Sequence, residues 1–210
     1  MRPVVLAVLG KIGSGKSTVG GMLARRGAAL LRADDASRAV LAAGEPLAKQ
    51  VLEAFGAEYA RPEGTLDRPR LAERIFRDAA ACARLEGLTH PAIVQWLRAR
   101  VEELWAQQPA PPLIGLEALF LPAHLGADEL ADTVAVCRAP YEMRLQRLLA
   151  RDGVSEEQAR ARLDRQEAQD RDPGAPDFVI DTGGDLAETE EQVAALWQEL
   201  AGRCSTRRGA

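Results

Sequence analysis

With 210 residues, 47% of them hydrophobic and 28% charged, the chain has the make-up of a globular protein able to bury one sizeable core. A net charge of −4 and a pI near 5.4 argue against a nucleic-acid binder, which carries a basic field, but leave room for a local basic pocket. No apolar stretch has the length of a bilayer span and nothing resembles a signal peptide, so a cytoplasmic protein with no membrane partner is expected. Cys82, Cys137 and Cys204 are too scattered for a disulfide framework, and with His90 and His124 they give no zinc-ligand spacing.

The first element in the chain is the apolar run Val4–Leu9, which reads as a buried parallel strand. It leads into Gly10-Lys11-Ile12-Gly13-Ser14-Gly15-Lys16-Ser17, a complete phosphate-binding loop of the form Gly, any four, Gly-Lys-Ser. A helix follows over residues 17–26, with Gly27 as its C-terminal stop. Residues 28–31 read as a second strand, and Asp34 and Asp35 come just past its end. From 36 to 105 the apolar spacing is helical, broken at Gly64 and Pro69, which suggests a helical insertion over about 36–108. After Pro109-Ala110-Pro111-Pro112, strands are expected at 113–116 and 132–137.

A basic helix over 141–151 comes next. Ser155-Glu156-Glu157-Gln158 has capping-box spacing and opens a helix running to about 166. Residues 173–176 read as a loop and 178–181 as a fifth strand. An amphipathic helix over 185–203 and a disordered basic tail over 205–210 complete the chain.

Alternating strands and helices predict a three-layer α/β fold of the P-loop NTPase type: a five-stranded parallel sheet with right-handed crossovers, a helical substrate-binding insertion and a helical lid. It reads as one kinase domain, with its core at 1–35, 110–140 and 175–204, the helical region at about 36–108 and the lid at about 141–170.

The loop specifies its ligand. Glycines let successive N–H groups turn inward as an anion nest, and the helix that follows adds its positive end. Gly13, Ser14, Gly15, Lys16, Ser17 and Thr18 are therefore candidates to bind ATP. Lys16 is expected to reach the β- and γ-phosphates, and the Ser17 hydroxyl to ligate Mg²⁺. Asp34 suits a general base near the γ-phosphate, and equally a helix N-cap. Arg144, Arg147 and Arg151 share one helical face, with Arg162 and Arg165 on the next helix. They suit a lid closing over phosphates, and equally a solvated charged surface balanced by Glu142, Asp152, Glu156 and Glu157.

Six segments in order resemble the dephospho-coenzyme A kinase family. These are the loop 10–18; Ala33-Asp34 with Arg38; Gly64-Thr65-Leu66-Asp67-Arg68 with Leu71 and Ile75-Phe76; Leu85-Glu86 with Thr89-His90-Pro91; Arg147, Arg151-Asp152-Gly153 and Gln166; and Asp177 to Asp181. Lys11, Arg32, the segment 117–122, Asp172 and Thr182 depart from the family pattern, which usually has glycine at the first of these and an acid at the second.

The resemblance implies transfer of the ATP γ-phosphoryl group to the ribose 3′-hydroxyl of dephospho-coenzyme A. Asp34, Lys16, Arg147 and Arg151 are then the catalytic candidates, and Arg38, Asp67, Arg68 and His90 the acceptor-binding ones. His90 sits in a Thr-His-Pro turn that also reads as a helix start, with Thr89 as cap. A kinase for another nucleotide, or a catalytically weak ATP-binding module, would carry the same loop.

Overall fold

A computed structural model of the chain describes residues 2–168, 175–201 and 203. In chain order its elements are β1 (Val4–Leu9), α1 (Lys16–Arg25), β2 (Ala29–Arg32), α2 (Ala33–Val40), α3 (Pro46–Phe55), α4 (Arg68–Arg77), α5 (Ala79–Ala106) and β3 (Leu113–Glu117). They continue with β4 (Thr133–Arg138), α6 (Tyr141–Asp152), α7 (Glu156–Ala168), β5 (Phe178–Asp181) and α8 (Leu186–Leu200). The chain divides into two compact units, Met1–Arg32 with Val101–Ala210, and Ala33–Arg100.

The first unit is a three-layer α/β fold around a five-stranded sheet of order β2-β3-β1-β4-β5, with every described pairing parallel. β1 is the central strand, so both its faces are covered and its apolar run does not alternate. Val4, Leu6 and Val8 pack with Val19, Met22 and Leu23 of α1 and Val193, Leu196 and Leu200 of α8. Val5, Ala7 and Leu9, which point the other way, are equally buried. At the start of β1 the Pro3 carbonyl accepts from the Trp105 indole N–H at 3.0 Å, which ties down the last turn of α5.

Two strands run one residue further than the apolar pattern predicts. β2 ends at Arg32 and β3 at Glu117, because these two residues face each other across the ladder and satisfy one another's charge. The α6–α7 pair has its own apolar seam, made of Leu145, Leu148, Ala159 and Leu163 with Ile12 of the loop against it. The predicted capping box is present. The Gln158 N–H donates to Ser155 Oγ, and the Ser155 N–H donates to Gln158 Oε1, both at 3.2 Å.

The second unit is helical. Leu41, Val51, Leu66 and Leu71 form its core, joined by Phe55, Tyr59, Ile75, Leu85 and Leu88. One expectation fails here. Thr89-His90-Pro91 does not start a helix, because α5 runs through it with Pro91 inside. Buried positions continue on the far side at Val94, Leu97, Val101 and Leu104, a spacing that rewards continuing the helix. Thr89 Oγ1 donates to the Leu85 carbonyl at 2.8 Å and so serves the helix interior, not its end. The predicted loop residues 173–174, the departure at Asp172, Cys204 and the tail 205–210 lie outside the described residues.

Candidate active site

The loop between β1 and α1 is the centre of the first unit. Gly13 and Gly15 take φ of +76° and +80°. A Cβ at Gly13 would lie 2.8 Å from the Arg144 carbonyl oxygen, so this position has neither the backbone freedom nor the room for a side chain. α1 starts at Lys16 with Gly15 at its cap, and glycine has no side chain to satisfy the first-turn N–H groups. Those donors, with Ser17 and Thr18 on the first turn, are available to an anion. Ser14 Oγ is buried and has no hydrogen-bond partner among the described residues. The Lys16 ammonium donates to the Lys11 carbonyl at 3.0 Å, which closes the loop on itself.

Glu117 is a site residue that the sequence reading passed over. It lies at the C-terminal end of β3 next to the central strand and is 9% exposed. Its Oε1 accepts from Ser17 Oγ at 2.5 Å, and its Oε2 accepts from Arg32 Nε at 3.2 Å. Its signal was the run Leu113-Ile114-Gly115-Leu116 ending in an acid, hidden because the strand was expected to stop at 116. A hydroxyl and a carboxylate oxygen this close suit Mg²⁺, which takes one or two protein oxygens and fills its octahedron with phosphates and water. No group of three or more metal-ligating side chains occurs among the described residues, so the protein offers no closed cage.

Thr182, directly after β5, was noted only as a departure, yet it is a buried junction. Its hydroxyl lies 2.9 Å from the Ser14 carbonyl and 3.1 Å from the Arg138 carbonyl, and it accepts from Arg147 at 3.1 Å. Arg147 also donates to the Gly13 carbonyl at 3.2 Å and to the Thr182 carbonyl at 2.5 Å. Its guanidinium is thus fixed against the loop backbone. Arg144, one turn earlier on α6, is 6% exposed and pairs with Glu167 of α7.

Arg151 points elsewhere. It pairs with Asp152, with 61% of its side chain exposed, and Arg162 reaches the same carboxylate at 3.2 Å. The hydrogen bond from Arg151 is the main reason the Asp152 carboxyl lies below its ordinary range. Beneath the loop, burial pushes the Cys137 thiol up to about 12, with Lys16 pulling it down and Glu117 adding to the rise.

The remaining predicted residues belong to the second unit. Asp34 lies in the first turn of α2, which begins at Ala33. It therefore does not cap that helix. The alternative of an N-cap fails because Ala33 continues directly from β2. Arg68 donates to the Ser37 carbonyl at 3.2 Å and to Ser37 Oγ at 3.0 Å. Burial lowers its guanidinium from the ordinary value, Arg38 lowers it further, and Asp34 opposes both. Asp34, Arg38 and Arg68 therefore form one charged group. Arg38 also pairs with Asp35 at 3.0 Å.

Asp67 caps α4, accepting from the Arg70 N–H at 3.2 Å, which is a structural use of that carboxylate. His90 is half-buried in the middle of α5.

A family model for dephospho-CoA kinase matches residues 4–188. The dephospho-CoA kinase of Moorella thermoacetica is 40% identical over 93% of this chain and 92% of its own length. That of Syntrophotalea carbinolica is 40% identical over 94% and 92%. Among solved structures, a Thermus thermophilus protein superposes with a TM-score of 0.72 at 29% identity, over 96% of this chain and all of its own. The dephospho-CoA kinase from Campylobacter jejuni gives 0.59 at 25% identity, over 94% and 97%. With a nucleotide-binding loop of this geometry and a match that covers most of its length, the chain belongs to the dephospho-CoA kinase family.

Proposed function

We propose that the protein phosphorylates the ribose 3′-hydroxyl of dephospho-CoA with ATP, giving CoA and ADP in the cytoplasm. The observation that carries this reading is the loop itself: uncapped first-turn amides and Lys16 surround one point, with the Ser17–Glu117 pair at its side. In the transfer, the acceptor oxygen forms a bond to the γ-phosphorus while the bond to the β–γ bridging oxygen breaks. ADP leaves with that electron pair. Little covalent chemistry is left to the protein, so positioning and charge stabilisation supply most of the acceleration.

Each residue then has a defined task. Lys16 and the amides of residues 13–18 bind the β- and γ-phosphates. Ser17 and Glu117 would hold Mg²⁺ directly or through water; the ion when bound neutralises charge on the phosphate oxygens. Arg147, already fixed on the loop, stabilises negative charge on the transferred group, and Arg151 is assigned the same task. Asp34, two residues past β2, takes the 3′-hydroxyl proton. Arg38 and Arg68, grouped with it, bind the anionic acceptor, and Asp67 and His90 are assigned to the acceptor side.

The test is ADP release from ATP and Mg²⁺ with dephospho-CoA, beside adenosine, AMP and pantothenate. Stimulation by dephospho-CoA alone is expected. Stimulation by another acceptor would move the substrate. ATP binding without stimulation by any of them would identify a non-catalytic module.

A further inference from the structure

The last turn of α7 is attached to the phosphate loop by groups that phosphoryl transfer does not require. The Ile12 N–H donates to Gln166 Oε1 at 2.5 Å. Glu167, the next residue, binds the Lys11 ammonium with one carboxylate oxygen and the Arg144 guanidinium with the other. Lys11 stands where the family pattern has glycine, so this chain carries a loop cation that its resemblance did not foretell.

An exposed lysine–glutamate pair alone is worth little. Here Lys11 and Glu167 are 47% and 38% exposed, but the third member is not: the Arg144 side chain is 7% exposed. Its NH1 is buried without a hydrogen-bond partner, so the carboxylate on NH2 carries much of its compensation. Removing Glu167 would leave a buried charge poorly paired, which is more costly than losing a surface ion pair. Lys11 also accepts the Lys16 ammonium on its carbonyl, so the bridge ends one hydrogen bond from the phosphate-binding lysine.

We propose that Glu167 is an electrostatic latch. By joining Lys11 of the loop to Arg144 of α6, it holds the last turn of α7 on the phosphate loop and makes Lys11 a positioning residue for the lid. This rests on the reading of α6–α7 as the lid of the proposed kinase.

The experiment is amide hydrogen exchange over residues 156–168 of the full chain, with steady-state ATP kinetics in parallel. Lys11→Met, Lys11→Arg, Glu167→Gln and the double variant K11M/E167Q are compared with the natural protein. Lys11→Met and Glu167→Gln should each raise exchange at least about threefold and raise the KM for ATP more than they lower kcat, while Lys11→Arg retains protection. The double variant should exchange no faster than the faster single, because both changes break one contact. Raising salt from about 0.05 M to about 0.5 M should loosen the natural protein but not the double variant.

Unchanged exchange in both single variants, or additive effects in the double, overturns the latch. Kinase activity is a separate readout. Raised exchange in a protein that phosphorylates no acceptor leaves the latch standing and removes the proposed reaction.

Discussion

Asp34 and Glu117 are both carboxylates placed after a strand, and they carry different predictions. If Asp34 takes the proton, Asp34→Asn keeps ATP affinity and lowers turnover by ~10²–10⁴-fold. Near-normal turnover in the folded variant would remove it from that role. Glu117 is within 2.5 Å of the Ser17 hydroxyl, so its charge serves the metal and not the acceptor. Glu117→Gln should raise the Mg²⁺ concentration for half-maximal turnover by ~10–100-fold and leave metal-free nucleotide binding unchanged. An unchanged Mg²⁺ titration would show that the pair only braces the loop. The sequence exposed these two residues unequally. Asp34 stood out because it followed a recognisable strand, whereas Glu117 was concealed by a one-residue error in the end of β3. Thr182 was harder still, since its partners at Ser14, Arg138 and Arg147 are brought together only by the sheet.

Among the elements, those whose signal is local were the most legible. β1 and β5 begin and end where the apolar runs do, and the Ser155–Gln158 box opens α7 as its spacing requires. Ser155→Ala removes both the acceptor for an orphan N–H and the anchor for Gln158, at a cost of about 1 kcal/mol. Exchange of the α7 amides should rise about fivefold, and Ser155→Thr should keep most of the protection. Equal exchange in the alanine variant would mean that the seam of Leu145, Leu148, Ala159 and Leu163 alone sets the helix start. α5 was misread for the opposite reason. A proline after a threonine is a sound local signal for a helix start, but burial of Leu97, Val101 and Leu104 outweighs the hydrogen bond that Pro91 gives up.

For the whole molecule, sheet order was not legible strand by strand. It follows from parallel pairing and right-handed crossovers, which put the first strand in the middle. That placement buries Cys137 under the loop and links stability to pH. The folded thiol is pushed up to about 12 from an ordinary value of 9.0. Between those values the unfolded chain loses its proton first, so stability falls as pH rises. Relative to Cys137→Ala, the natural protein should lose about 1 kcal/mol of unfolding free energy between pH 9 and about pH 10. Parallel stability curves for the two would show that the thiol is not protected.

Thr182 reaches back 168 residues to the Ser14 carbonyl. At a synthesis rate of ~5–20 residues per second, the phosphate loop waits ~10–30 s on the ribosome before that partner is made. During that time β1 is an apolar strand without β3, β4 or α8 beside it. The nascent chain therefore presents its most aggregation-prone segment first and completes its nucleotide cradle last. Chaperone engagement should be greatest before β5 emerges and fall sharply once it has.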